Sequence, residues 1–112
     1  MTVKEKESGN VVVLELSGKI MGGPDASLLN DKLHELIDKG KIKIVADLAN
    51  VNWMNSSGLG ILIGALTTMR NNKGDLKLAS VTDRIQSLLM ITKLLTVFET
   101  FESVDQAVAS FK

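Results

Sequence analysis

Eight residues, Trp53-Met54-Asn55-Ser56-Ser57-Gly58-Leu59-Gly60, constrain the fold of this chain more than any other stretch. Before them, Ile42 to Leu48 reads as a strand, closed by Asp47-Leu48-Ala49-Asn50. After them, Leu59 to Met69 is a long apolar run that reads as a helix. The octet is therefore a turn from a buried strand into a buried helix. Asn55 and Ser56 are both good N-caps, because a short side-chain oxygen can accept a bond from a free N–H of the first turn. Gly58 and Gly60 lower helix propensity there, and their use is to let another backbone or a ligand come close. Two hydroxyls, an amide and bare backbone thus gather at the positive end of a helix.

The rest of the chain supplies matching pieces. Residues 2 to 7 alternate weakly and read as an edge strand. Ser8-Gly9-Asn10 turns them into a second strand, Val11 to Leu16, rich in β-branched residues. Ser17 to Gly23 reads as a loop. Pro24 suits the first position of a helix that runs to about Lys39, with Leu28, Leu29, Leu33, Leu36 and Ile37 as its apolar stripe, and Gly40 caps it. In the third strand, Ile44, Val45 and Ala46 run without alternation, as expected for a strand covered on both faces. The second helix spans about Ser57 to Asn71, apolar nearly all round at first and so deeply packed, with Gly74 as its cap. Leu76 to Val81 is a fourth strand. Thr82-Asp83 opens a third helix carrying Ile85, Leu88, Leu89 and Ile91. Leu95 to Phe98 reads as a fifth strand. Ser103 and Gln106 form a capping box for a last helix, whose apolar face is Val104, Ala107, Val108 and Phe111. The order β-β-α-β-α-β-α-β-α predicts an α/β fold: a mixed, mostly parallel five-stranded sheet with about four helices and an opening β-hairpin.

Totals exclude several classes. A chain of 112 residues is expected to form one domain over 1–112. Its net charge is zero with His neutral, which argues against nucleic acid as a partner. It has no Cys, so disulfides, thiolate nucleophiles and zinc–sulfur sites are excluded. No metal-ligand cluster stands out and no cofactor is implied. The polar N-terminus does not read as a signal peptide, and no apolar run reaches the length of a membrane span. A cytoplasmic protein is expected.

The octet, with Asp47-Leu48 ahead of it, resembles the signature of the anti-sigma-factor antagonists, bacterial members of the STAS domain family. That signature has an acidic residue and Leu, then an aromatic-Met pair, then Asp-Ser-Ser/Thr-Gly-Leu-Gly. The resemblance covers nearly the whole chain. It implies a STAS-like fold and phosphorylation, by a partner kinase, of the Ser that falls at Ser56, with Ser57 as second choice. Three positions depart from the pattern. Asn55 stands for the usual Asp, and Lys19 and Met21 replace the acids of a Gly-Glu-Leu/Ile-Asp loop motif matched by Gly18 to Met21.

Read from the residues alone, Ser56 has two roles open to it, helix cap or phosphoacceptor. Trp53, the only Trp, is a core anchor or the border of a partner face. Asp47 either faces water or reaches into the following turn to hold it. The segment from Leu88 to Leu95 is too apolar for all of it to face inward. Met90 and its neighbours are either an exposed partner patch or the entry to a buried strand. The partner-binding set expected from these readings and the resemblance is Met21, Gly22, Trp53, Asn55, Ser57, Gly58, Leu59 and Met90. A nucleophile elbow would need a glycine two residues before the serine, which Ser56 lacks. The one His, His34, falls on the polar side of the first helix, so a triad has no base. Gly58-Leu59-Gly60 without a following Lys is no P-loop.

The resemblance implies a switchable binding module and not an enzyme. Unmodified, it would bind a kinase-type anti-sigma factor and free a sigma factor. Phosphorylation at Ser56 would end that binding, and a serine phosphatase would restore it. The alternative is a STAS scaffold, or a ligand-binding subunit of a larger regulatory or transport assembly, that works without phosphorylation.

Overall fold

The computed structural model describes residues 1–93 and 97–111. Elements follow the predicted order: β1 (Thr2–Ser8), β2 (Val11–Ile20), α1 (Pro24–Asp38), β3 (Lys43–Met54), α2 (Ser56–Asn71), β4 (Asp75–Ala79), α3 (Asp83–Ile91), β5 (Thr100–Phe101) and α4 (Val104–Ala109). The sheet runs β1-β2-β3-β4-β5. β1 pairs antiparallel with β2, and every later pair is parallel.

Side-chain alternation splits the strands between two layers. Val12, Leu14 and Leu16 of β2, Ile44, Ala46 and Leu48 of β3, and Leu76 and Leu78 of β4 face the main core under α1, α2 and α3. Val11, Val13, Val45 and Ala79 face a smaller core closed by Ala107 and Val108 of α4. The unbroken apolar run Ile44-Val45-Ala46 is thus explained by cover on both faces. Three successive crossovers step the same way across the sheet and place their helices on one face, so all three share one hand. Among the described residues, no helix is long and apolar enough to cross a membrane.

The strands run further than the sequence pattern predicts. β2 continues through Ser17 to Ile20, and β3 through Asn50 to Met54, where a loop and a turn are expected. Their register explains why. Glu15 pairs with Asp47 but Ser17 with Asn50, and Gly18 pairs with Val51 but Lys19 with Trp53. β3 therefore carries two bulges, and its buried residues in this half are Leu48, Val51 and Met54. A spacing of three does not look like a strand. At the first bulge the Asp47 carboxylate accepts the Ala49 N–H at 3.1 Å, so Asp47 holds a bulge and not the turn before the helix.

Other expectations shift by smaller amounts. Leu28 is exposed, so the α1 stripe is Leu29, Leu33 and Leu36, with Ile37 half-buried against the same core. Gly60 and Gly64 of α2 face outward, so that helix is not buried all round. Its C-terminal left-handed residue is Lys73, φ 66°, and not Gly74. A Cβ on Gly74 would lie 2.4 Å from the Ile42 carbonyl oxygen, so Gly74 permits a close backbone crossing. β4 ends at Ala79 and not Val81. Ile91 is exposed instead of packing inward. Leu94, Leu95 and Thr96 lie outside the described residues. Val97 and Phe98 are in no strand, and the fifth strand is Thr100–Phe101.

Candidate functional site

Parallel pairing brings the C-terminal ends of β2 and β3 together at one edge of the molecule, where β3 feeds α2 through Asn55 alone. Asn55 is extended, φ −106° and ψ −176°, and is the N-cap. Its Oδ1 accepts the Gly58 N–H at 2.8 Å, and its carbonyl accepts the Leu59 N–H at 2.9 Å. Ser56 is therefore the first helical residue and not the cap. The helix supplies no carbonyl for the Ser56 and Ser57 N–H groups. Both side chains are exposed, and among the described residues neither hydroxyl is held in a hydrogen bond. The first turn also carries no acidic residue. An anion at Ser56 would meet two N–H donors that, among the described residues, have no partner, and the positive end of a sixteen-residue helix.

Gly58 fixes how this helix end sits. A Cβ there would lie 1.8 Å from the Ile20 carbonyl oxygen. Ile20 pairs with Met54 at the last rung between β2 and β3, so the end of β2 presses directly on the first turn of α2. The chain then leaves β2 through Met21 and Gly22, and a Cβ on Gly22 would come within 3.3 Å of the Ser57 Cβ. The Asp25 carboxylate steadies this loop by accepting the Met21 N–H at 3.3 Å and taking the Met1 ammonium at the same distance.

The expected partner-facing residues separate into three groups. Met21, Gly22, Asn55, Ser56 and Ser57 surround the helix tip. Trp53 joins them from the last stretch of β3; it is 40% exposed, pairs with Lys19 across the sheet, and has the Arg84 guanidinium 5.1 Å from its ring centroid. Gly58 and Leu59 are buried, Leu59 to 1% exposure, so they shape the surface from beneath. Met90 is 59% exposed but lies nearly two turns along α3 from Arg84, roughly 9 Å. His34 is exposed on α1.

Two features were not foreseen. Arg84 came without any local signal, because only the fold carries α3 to Trp53. A groove of about 650 Å³ also runs between α1 and α2 with Ser57 at its head, lined by Ala26, Asn30, Gly60 and Gly64 among others. Its signal was the four-residue spacing of Gly60 and Gly64 on α2.

Residues 2–107 match the STAS domain family. The chain is 26% identical over 93 residues to BtrV of Bordetella bronchiseptica, named as an anti-sigma factor antagonist, covering 83% of this chain and 80% of that one. It is 32% identical over 77 residues to the anti-sigma-B factor antagonist of Staphylococcus aureus, covering 69% and 71%. A crystal structure from Thermotoga maritima, also named as an anti-sigma factor antagonist, superposes with a TM-score of 0.85 at 22% identity, over 96% and 92% of the two chains. With the fold, the strand–cap–helix geometry and these likenesses in agreement, the chain belongs to the STAS domain family.

Proposed function

We propose that this chain is an anti-sigma-factor antagonist: a cytoplasmic binding module, not an enzyme, that docks on a kinase-type anti-sigma factor through the α2 tip and is switched at Ser56. The observation that carries this reading is the division of labour between Asn55 and Ser56. Asn55 does the capping, which leaves the Ser56 hydroxyl exposed at the first helical position. Phosphorylation there adds nearly two negative charges and three acceptor oxygens. The free N–H groups and the helix dipole accommodate that charge without unfolding the site. A partner seated on the same surface would instead meet bulk and charge, which makes an electrostatic switch on a rigid scaffold. A phosphatase would reset it. The names of the curated relatives support the antagonist role.

The test is incubation with the anti-sigma factor kinase of the same genome and ATP, followed by mass spectrometry and a binding assay. A phosphate on the Ser56 peptide, absent in Ser56→Ala, with loss of binding on modification, is the expected result. Binding to the anti-sigma factor without modification would instead favour a scaffold that works unphosphorylated. Lys19, Met21 and Asn55, standing where the resemblance has acids, are the observation behind that second reading. No binding in either state overturns the antagonist role.

A further inference from the structure

Beside the Ser56 tip, Lys19, Met21, Asn52 and Trp53 line a shallow depression at the ends of β2 and β3. Lys19 and Trp53 are register partners, and Arg84 covers the ring from α3. Lys19 and Arg84 are exposed. Among the described residues, neither makes an ion pair. Two acids are near in sequence or space. Asp83 adjoins Arg84 in the first turn of α3, and Asp25 is engaged with the Met21 N–H and the Met1 ammonium. Met21 at 48% and Trp53 at 40% exposure add an apolar floor.

From this arrangement we infer that the Lys19–Trp53–Arg84 surface is a docking site for an acidic protein segment, with carboxylates on the two cations and an apolar side chain against Trp53 and Met21. The guanidinium suits a carboxylate, which it can bind in bidentate fashion while stacked on an aromatic face. Trp and Arg are the side chains that most often anchor interfaces. Nucleic acid is the weaker fit, since two cations on a chain of zero net charge give little of the phosphate neutralisation that such binding runs on. The inference rests on the proposed function only in placing the partner at this end of the sheet.

Trp53 is the only Trp, so its fluorescence reports the site directly. The protein is titrated with a capped peptide alternating Glu-Leu-Glu-Asp, with the same peptide carrying Lys at each acidic position, and with a dT oligonucleotide. A saturable change with the acidic peptide alone is expected. Raised salt should weaken it, and Lys19→Glu with Arg84→Glu should weaken it by roughly tenfold. Lys73→Glu, at the far end of α2, should leave it unchanged. Binding is repeated by calorimetry, so that altered Trp53 emission in the double variant does not stand for lost affinity. No saturable binding of the acidic peptide, equal binding of the basic one, or binding of the oligonucleotide in its place overturns the inference. This titration needs no anti-sigma factor, so its failure is distinct from failure of the proposed function.

Discussion

The Ile20 carbonyl oxygen stands 1.8 Å from the point that a Cβ on Gly58 would occupy. This contact joins the last residue of β2 to the first turn of α2, and it places Met21 and Gly22 beside Ser57. Both partners are backbone, so neither can rotate away. Gly58→Ala must shift α2 or the end of β2, and a destabilisation of about 1–3 kcal/mol is expected, as for overpacked cores. Gly60 is the matched control. Nothing lies within 4 Å of its Cβ position, so Gly60→Ala should gain helix propensity, about 0.5–1 kcal/mol. Thermal unfolding of the two variants should move in opposite directions, by roughly 4 °C per kcal/mol. Equal stability of both would remove the packing role assigned to Gly58.

Asn55 makes the cap with its Oδ1. Asn55→Ala should lose about 1 kcal/mol. Asn55→Asp keeps the acceptor and adds charge at the helix N-terminus, so it should gain about 0.3–1 kcal/mol, and less in high salt. Denaturant unfolding at low and high ionic strength checks both. An Asp variant that is less stable than wild type at low salt would mean that acidic groups elsewhere govern this end of the helix.

Much of this was legible in the sequence, for identifiable reasons. The order of the elements was legible because β-branched runs, stripes and caps each signal locally: Thr82 and Ser103 both cap as their spacing predicts, whereas the fifth strand lies at Thr100–Phe101 and not over Leu95 to Phe98. The pattern failed where two bulges broke the alternation of β3, so Asn50 to Met54 looked like turn. It failed again at Lys73, where a non-glycine took the left-handed position. Within the site, Asn55, Ser56 and Ser57 are adjacent in sequence and were readable together. Arg84 over Trp53, and the Ile20 carbonyl against Gly58, are contacts between segments far apart in the chain. No local periodicity encodes those, and the burial of Leu59 beneath the α2 tip has the same origin.

An ion pair ties the edge strand to α1: Lys32 Nζ lies 2.6 Å from Glu5 Oε1. The hydrogen bond and charge of Lys32 hold the Glu5 carboxyl below its ordinary value of 4.5, and Glu5 raises Lys32 in return. A depressed carboxyl stabilises the fold above its unfolded value, and that gain fades as pH falls through the lower folded value. Both side chains remain about a quarter exposed, so the effect is at most about 1 kcal/mol. Glu5→Gln should therefore be less stable than wild type at pH 7, with the gap closing as pH drops below 4.5. Unfolding curves across that range decide it; a gap that persists in acid would point to packing instead.

Ser56→Asp separates the fold from the switch. The added carboxylate sits at the first position of α2, beside the free N–H groups of Ser56 and Ser57 and with no acidic neighbour in that turn. The helix dipole favours it, so the variant should fold normally and gain about 0.3–1 kcal/mol in thermal unfolding. Binding to the anti-sigma factor should nonetheless fall at least about tenfold, because charge now occupies the surface on which the partner would rest. Ser57→Asp is the companion: its Cβ lies 3.3 Å from where a Cβ on Gly22 would stand, so a longer side chain there should disturb the Met21–Gly22 loop and lose part of that stability gain. Calorimetric binding alongside melting curves distinguishes the two. A Ser56→Asp protein that binds as tightly as wild type would show that the helix tip is not where the partner docks, whatever its stability.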